Sequence, residues 1–116
     1  MRKRVLKLFT DYAGIYGLYC EQTGKWYVGA SLKVKARIKV HLSQMQNPNN
    51  NHPMAQDVAR YGMASIRTCT LEEVEDKHNL VHRERYWVQE KDALSNGYNR
   101  MPPGRSGGWM GSGDGF

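Results

Sequence analysis

The chain has 116 residues, enough for one compact domain but too few to expect two, and no stretch approaches the roughly 20 apolar residues of a membrane span. Its net charge of +6 is uneven, because residues 1–41 carry nine basic and two acidic side chains whereas residues 42–116 carry eight and nine. We therefore expect a soluble, cytoplasmic protein whose basic first third either binds a polyanion such as nucleic acid or is a solvated face.

A β-hairpin is the first predicted element. Residues 13–20 and 25–30 are rich in aromatic and branched side chains, and the sequence Gln-Thr-Gly at residues 22–24 suits the turn between them. Tyr16 and Tyr27 face each other across this hairpin, and each has a nearby glycine that lets other groups approach the backbone. The two phenols either pack on the sheet or orient water and phosphate.

Two amphipathic helices are predicted to follow the hairpin. The first runs from residue 33 to about residue 46, with apolar residues at spacings of four, four and three: Val34, Ile38, Leu42 and Met45. An asparagine-rich run at residues 47–51 ends it. Pro53 suits the first turn of the second helix and Gly62 suits its end. The predicted buried side chains of this helix are Met54, Val58 and Tyr61.

A third strand and a long third helix complete the predicted order. The β-branched content of residues 64–71 favours a strand. Thr70 and Glu73 then match a capping box, and the acidic residues that follow suit the positive end of a helix dipole. A helix is therefore predicted over residues 71–91.

The two cysteines are expected to be reduced. Cys20 and Cys69 are far apart in the chain and have no close Cys or His neighbours that would complete a zinc site. Both are therefore interpreted as thiols on predicted strands.

The third predicted helix carries a carboxylate on its apolar side. Glu84 lies four residues from both Leu80 and Val88, within the stripe that is expected to face the core. Burying an ionised glutamate costs several kcal/mol unless a cation or strong donors meet it. Glu84 therefore either binds a hard cation such as Mg²⁺, which prefers carboxylate oxygen, or lies on a wet boundary beside neighbouring arginines.

A cationic stripe borders the apolar face of the first helix. Arg37 and His41 are four residues apart, each one residue before a member of that face, and Lys33 extends the stripe by one turn. This stripe is placed to reach a cleft and contact phosphate, but a cationic helix edge without a function is equally common.

Together these residues resemble the GIY-YIG nuclease domain, in particular the catalytic domain of the phage intron homing endonucleases. The resemblance covers residues 13–99. Its motifs occur in order: Gly14-Ile15-Tyr16, Tyr27-Val28-Gly29 with Val28 for the usual isoleucine, Arg37 and His41 on the helix, Glu84, and Gly97-Tyr98-Asn99. In addition, His52 aligns with a histidine of the homing branch.

The resemblance implies an α/β (α+β) fold, a small three-stranded antiparallel sheet flanked by helices in the order β-β-α-α-β-α, which agrees with the elements above. It also implies a Mg²⁺-dependent DNA endonuclease, with Mn²⁺ able to substitute, that leaves 5′-phosphate and 3′-hydroxyl ends. Within the superfamily a homing role fits best, although repair and restriction enzymes use the same domain. The alternative is a module of the same fold that binds nucleic acid without cutting it.

The resemblance also suggests roles for individual residues. Glu84 is the expected metal ligand, Arg37 bears on the scissile phosphate, and Asn99 supports the region around Glu84. The residues expected to contact the substrate are Gly29, Lys33 and His52.

The proton transfer is left open between two interpretations. Tyr16 lies next to the attacking water with Tyr27 nearby, and it either removes the proton or only orients the water while His41 or solvent takes the proton. A phenol has an ordinary pKa of about 10, so a role as base requires cations close by, such as Lys33 and Arg37.

The predicted domain organisation has three parts. A basic N-terminal extension covers residues 1–12, the nuclease domain covers residues 13–100, and a tail or linker covers residues 101–116. Six of the last thirteen residues are glycine, which is typical of a flexible linker. Homing relatives continue into separate DNA-binding modules. Specificity for the DNA target is therefore expected from such a module, from a partner protein or from self-association. Alternatively, this is a shortened version of a longer enzyme. The oligomeric state is open.

Overall fold

A three-stranded antiparallel sheet with strand order β2-β1-β3 forms the centre of the computed structural model, which describes residues 10–100. The strands are β1 (Gly14–Cys20), β2 (Lys25–Ser31) and β3 (Ile66–Glu73), and the helices are α1 (Val34–Met45), α2 (Pro53–Tyr61) and α3 (Leu80–Glu90). Two short 3₁₀ turns, Met63–Ser65 and Lys77–Asn79, precede β3 and α3. The predicted fold class and element order are confirmed.

Most of the predicted N-terminal extension and the whole predicted tail lie outside the described residues. Within residues 10–100, no helix is both long enough and apolar enough to cross a membrane. Both cysteines, Cys20 and Cys69, are free thiols, as expected.

The hairpin that joins β1 to β2 sets the register of the sheet. Tyr16 pairs with Gly29, and Leu18 pairs with Tyr27. Gly24 occupies the turn with a φ of 73°, a left-handed conformation that glycine adopts readily. Because side chains alternate between the two faces of a strand, this register places both tyrosines on the same face of the sheet.

Helices cover both faces of the sheet. The cluster on the first face joins the two tyrosines to side chains of α1 and α2, and it includes Tyr16, Leu18, Tyr27, Val34, Met45, Met54 and Val58. The cluster on the second face joins the sheet to α3, and it includes Ile15, Val28, Ala30, Leu80 and Val88. Burying one large apolar side chain contributes about 1.5–3 kcal/mol relative to leaving it in water. The two clusters therefore hold the helices in fixed positions around the tyrosines.

The first two helices follow their predicted bounds closely. Pro53 lies in the first turn of α2, and Gly62 ends the helix with a φ of 91°. The prediction that Tyr61 is buried is wrong, because 41% of this residue is exposed. The buried residues of α2 are Met54, Ala55 and Val58, and Tyr61 is the last residue of the helix.

The predicted start of the third helix is wrong. Thr70 and Glu73, the predicted capping box, lie in β3, and α3 begins only at Leu80. Pairing with β1 continues as far as Gly14 opposite Glu73, with a β-bulge in β3 that leaves Leu71 as the extra residue. The backbone hydrogen bonds of a three-stranded sheet therefore outweigh a local capping pattern.

Glu72 joins the end of β3 to α3. Its Oε1 accepts hydrogen bonds from Arg83 Nε at 2.8 Å and from Trp87 Nε1 at 2.9 Å. Arg83 and Trp87 are four residues apart and lie on one side of the helix, so two bonds to a single carboxylate set the rotation of α3 about its axis.

A carboxylate that precedes β1 caps the start of α1. Asp11 Oδ1 accepts from the backbone N–H groups of Tyr12 at 2.8 Å and Lys35 at 2.7 Å, and its Oδ2 accepts from that of Ala36 at 2.9 Å. The first N–H groups of a helix have no partner within the helix, and the side chain of Lys33, the residue at the N-cap, makes no capping bond in the described structure. Asp11 therefore supplies the cap from a distant part of the sequence.

We expect Asp11→Ala to lower the free energy of unfolding by about 1–2 kcal/mol, because the mutation leaves backbone donors of α1 without their acceptor. Urea denaturation followed by circular dichroism measures the change. Asp11→Asn keeps one acceptor oxygen and should lose less. Equal stability of Asp11→Ala and the wild-type protein would contradict the capping role.

Candidate active site

A hydrogen bond between Tyr16 and His41 lies at the centre of the candidate site. The Tyr16 hydroxyl is 2.7 Å from His41 Nε2, and both side chains are almost completely buried. Tyr16 extends from the central strand, and His41 comes from the second turn of α1. The sequence places His41 at the edge of the buried face of the helix, but in the structure the imidazole is inside it.

Tyr27 and His52 extend this group of rings. The Tyr27 ring centroid lies 6.4 Å from that of Tyr16, 5.1 Å from that of His41 and 6.0 Å from that of His52. His52 is the N-cap residue of α2, and its Nδ1 accepts the backbone N–H of Met54 at 3.1 Å. Side chains from β1, β2, α1 and α2 are thus brought together.

Gly29 makes room for Tyr16. A Cβ atom at residue 29 would overlap the Cζ and hydroxyl oxygen of the Tyr16 ring. The sequence suggests that another group approaches the backbone closely at this glycine. In the structure that group is the phenol of Tyr16 on the neighbouring strand β1. A larger residue at position 29 would displace that phenol.

Glu84 is fully buried, which confirms the inward orientation that the helical pattern predicts and rules out the wet boundary. Neither carboxylate oxygen has a hydrogen-bond partner among residues 10–100. Burial raises the pKa of Glu84 to about 8, although the charge of Arg85 acts in the opposite direction. Without a cation, this group is therefore mostly protonated at neutral pH.

The residues around Glu84 fit one hard divalent cation with few protein ligands. The described part of the chain holds no group of three or more His, Cys, Asp or Glu side chains that could bind a metal ion. A buried carboxylate whose two oxygens lack partners nevertheless suits Mg²⁺, which usually keeps several waters and uses one or two carboxylates.

Burial determines the protonation state of the Tyr16 and His41 pair. It raises the pKa of Tyr16 well above the ordinary value, Tyr27 and Glu84 raise it further, and the charge of Arg37 lowers it. Burial also lowers the pKa of His41 to about 3, together with Arg37 and His52. At neutral pH the phenol therefore carries its proton and the imidazole is uncharged, so nearby cations do not make Tyr16 a phenolate.

Asn99 holds the edge of β2 beside the site. Its Oδ1 accepts the Val28 N–H at 2.9 Å, and its Nδ2 donates to the Val28 carbonyl oxygen at 2.9 Å. Val28 lies between Tyr27 and Gly29, so these bonds fix both neighbours. The sequence associates Asn99 with Glu84, but the hydrogen bonds of its side chain are with β2.

The two remaining candidates lie at the margin of the site. Arg37 is half-buried on α1, and its charge acts on both Tyr16 and His41. Lys33 is exposed at the residue before α1, where the side chain can follow a bound polyanion. Asp11 caps α1, the helix that carries Arg37 and His41, and the sequence pattern does not reveal this role. A cap supplied from 24 residues away leaves no local signal.

Comparison with known proteins agrees with this geometry. A family model described as the GIY-YIG catalytic domain matches residues 12–99. The fold is similar to two structures of the catalytic domain of the homing endonuclease I-TevI, one of them a variant with alanine in place of a glutamate. Each of the two structures is 24% identical to this chain, with a TM-score of 0.68, and each match covers 77% of this chain. The match spans 98% of the I-TevI domain and 93% of the variant. No curated protein matches the chain.

A small α/β domain with paired tyrosines, a helix arginine and histidine, and a buried glutamate has the architecture of a nuclease domain. The chain belongs to the GIY-YIG family of catalytic domains, and it is an endonuclease.

We expect the free energy of unfolding, measured in EDTA, to be greatest near pH 6.5. The pKa values of His41 and His52 are lowered from 6.5 to about 3 and about 4, so their contribution to stability is complete above pH 6.5 and is lost on acidification. The pKa of Glu84 is raised from 4.5 to about 8, so its contribution is present below pH 4.5 and is lost as the pH rises to about 8.

Chemical denaturation at pH 5, 6.5 and 8 checks this profile. Glu84→Gln should remove the decrease between pH 6.5 and pH 8, because glutamine does not ionise. A decrease of the same size in that variant would show that another group causes it.

Proposed function

We propose that this chain is a Mg²⁺-dependent DNA endonuclease that hydrolyses phosphodiester bonds to leave 5′-phosphate and 3′-hydroxyl ends. The observation that carries the proposal is the fully buried carboxyl group of Glu84, whose two oxygens have no partner among the described residues. A folded domain gains nothing from such a group unless a cation binds to it.

Glu84 would hold the divalent cation, either Mg²⁺ or Mn²⁺. Most of the coordination would come from water and from the substrate phosphate, because a single carboxylate leaves an octahedral ion largely open. When bound, the cation supplies positive charge that stabilises the phosphoryl oxygens and the departing 3′ oxygen.

Tyr16 would orient the attacking water, and His41 would receive the proton. The Tyr16 hydroxyl can pass its hydrogen to His41 Nε2, 2.7 Å away, as it accepts a hydrogen from the water. The negative charge of a bound phosphate raises the pKa of an adjacent imidazole, so substrate binding makes His41 a better acceptor. Tyr27 would keep the Tyr16 hydroxyl in place.

Other residues would bind and align the DNA. The Arg37 guanidinium matches the oxygens of the scissile phosphate and can bond to two of them at once. Lys33 would contact the DNA backbone. His52 is buried, so it would support the ring of Tyr27 instead of touching the DNA. Gly29 would maintain the space for Tyr16, and Asn99 would hold β2 so that this space stays constant.

The biological role that we propose is homing, and the support is the resemblance to the homing branch. The similar solved structure is the catalytic domain of a homing endonuclease, I-TevI. We propose that a separate DNA-binding module or a partner protein supplies specificity, and the support is again the resemblance to the homing branch. One such site would cut one strand at a time. A cytoplasmic location stays a prediction.

Cleavage of supercoiled plasmid tests the activity. We expect Mg²⁺ to give nicked circles and EDTA to give none, because the charge on the leaving oxygen is stabilised only when the cation is present. Binding of the plasmid without nicking in Mg²⁺ or Mn²⁺ would favour the non-cutting module instead.

Glu84→Gln should abolish nicking while DNA binding in EDTA and folding are retained. The matched control is Glu90→Gln, which makes the same substitution at an exposed position of the same helix and should cut normally. Normal nicking by Glu84→Gln would refute the metal-binding role.

Tyr16→Phe should reduce the rate of the cleavage step about 100-fold or more, because water orientation and proton transfer both need the hydroxyl. Single-turnover kinetics on an end-labelled duplex measure this step. Tyr27→Phe should have a smaller effect, since Tyr27 acts through Tyr16. Equal rates in Tyr16→Phe and the wild-type enzyme would leave no chemical role for this phenol.

Cleavage sites on a random-sequence duplex library, compared with branched and flapped DNA, distinguish the biological roles. A preferred sequence is the outcome expected for homing. A strong preference for branches would instead favour a repair nuclease.

A further inference from the structure

Tyr98 is a buried phenol that the proposed reaction does not use. Its hydroxyl donates a hydrogen bond to Oδ2 of Asp57 on α2 at 2.7 Å, and it lies 2.8 Å from Oγ1 of Thr23 in the hairpin turn. Because the hydroxyl hydrogen goes to Asp57, Thr23 is the donor of the second bond. Burial raises the pKa of Tyr98 above its ordinary value, so the hydroxyl keeps the hydrogen that it donates.

The backbone at Tyr98 is attached to β2 on either side of Tyr27. The backbone N–H of Tyr98 donates to the Trp26 carbonyl oxygen at 2.8 Å. The side chain of the next residue, Asn99, bonds to both backbone groups of Val28. Two successive residues therefore hold the part of β2 that carries Tyr27.

Tyr98 thus joins β2 to α2, the helix that His52 caps. The His52 ring meets the Tyr27 ring edge-on, with 6.0 Å between the centroids. Apolar side chains of α2 also pack in the core cluster, but apolar contacts have no preferred direction. The hydrogen bond to Asp57 is directional, so it fixes where the helix lies relative to the strand.

We propose that Tyr98 is a positioning residue for the cleavage reaction. Its bond to Asp57 sets the place of α2 and hence of His52. His52 holds the ring of Tyr27, which lies 6.4 Å from the ring of Tyr16, the phenol that orients the water. The proposal rests on the proposed nuclease function. Because rates depend steeply on the position of reacting groups, loss of this bond slows cleavage without weakening DNA binding.

Tyr98→Phe tests the bond, since it removes the hydroxyl and keeps the ring. We expect the single-turnover rate of cleavage to fall several-fold, while the Kd for a fluorescein-labelled duplex, measured by anisotropy in EDTA, stays at the wild-type value. The matched control is Tyr61→Phe, the same change at an exposed residue of α2, which should cut normally. Circular dichroism at the assay temperature checks that each variant is folded.

Two variants at Asp57 test the same bond from its acceptor. Asparagine keeps an oxygen that can accept from Tyr98, so Asp57→Asn should cut at close to the wild-type rate. Asp57→Ala should be slowed as much as Tyr98→Phe, and the double variant no further, because all three lose one and the same bond. Additive losses in the double variant would contradict the proposal. This pair also gives the comparison if Tyr98→Phe does not fold.

NMR spectra in EDTA without DNA measure the place of His52 directly. Its ring signals are shifted by the ring current of Tyr27, so they should move when α2 is displaced. We expect them to move in Tyr98→Phe and in Asp57→Ala. They should stay in place in Asp57→Asn and in Tyr61→Phe.

The outcomes separate this proposal from the function on which it rests. Unchanged cleavage by Tyr98→Phe, or slower cleavage with unmoved His52 signals, would overturn the positioning role and leave the nuclease function intact. No cleavage by the wild-type protein would overturn the function, and the NMR comparison would still decide whether Tyr98 sets the place of His52.

Discussion

The pairing of Tyr16 with Gly29 is the contact on which the site depends. The phenol lies where a side chain of the neighbouring strand would otherwise be, so its position requires glycine at residue 29 and this hairpin register. A slip of one residue in β2 would turn Tyr27 to the face that α3 covers, away from Tyr16. Gly24 in the turn and Asn99 at the outer edge both hold that register, and His41 reaches the phenol only because of it.

The site combines groups that oppose folding. A carboxylate without partners among the described residues and two uncharged histidines are buried, and each loses hydration that the unfolded chain keeps. The structure offsets this with apolar clusters on both faces of the sheet and with carboxylates that are well satisfied, such as Asp11 and Glu72. Asp11 and Glu72 thus stabilise the domain, whereas Glu84 is the carboxylate that we propose for the chemistry.

Local patterns predict those parts of the fold that local forces determine. The hairpin, α1 and α2 follow from turn chemistry and helical spacing, and Glu84 is recognisable because it interrupts an apolar stripe. The start of α3 is not predictable in this way, since residues 70–73 carry a helix-start pattern but pair with β1 instead. The capping of α1 by Asp11 joins distant parts of the chain, and no spacing rule indicates it.

Glu72 restricts the proposed metal ligand, Glu84, through other residues of α3. It bonds to Arg83 and Trp87, which lie on either side of Glu84 in the sequence of α3. With both neighbours tied to β3, the helix cannot turn to bring Glu84 into water. If Glu84 binds a cation as we propose, the carboxyl group has two states inside the folded domain, protonated or cation-bound, and proton and metal compete for the same buried oxygens.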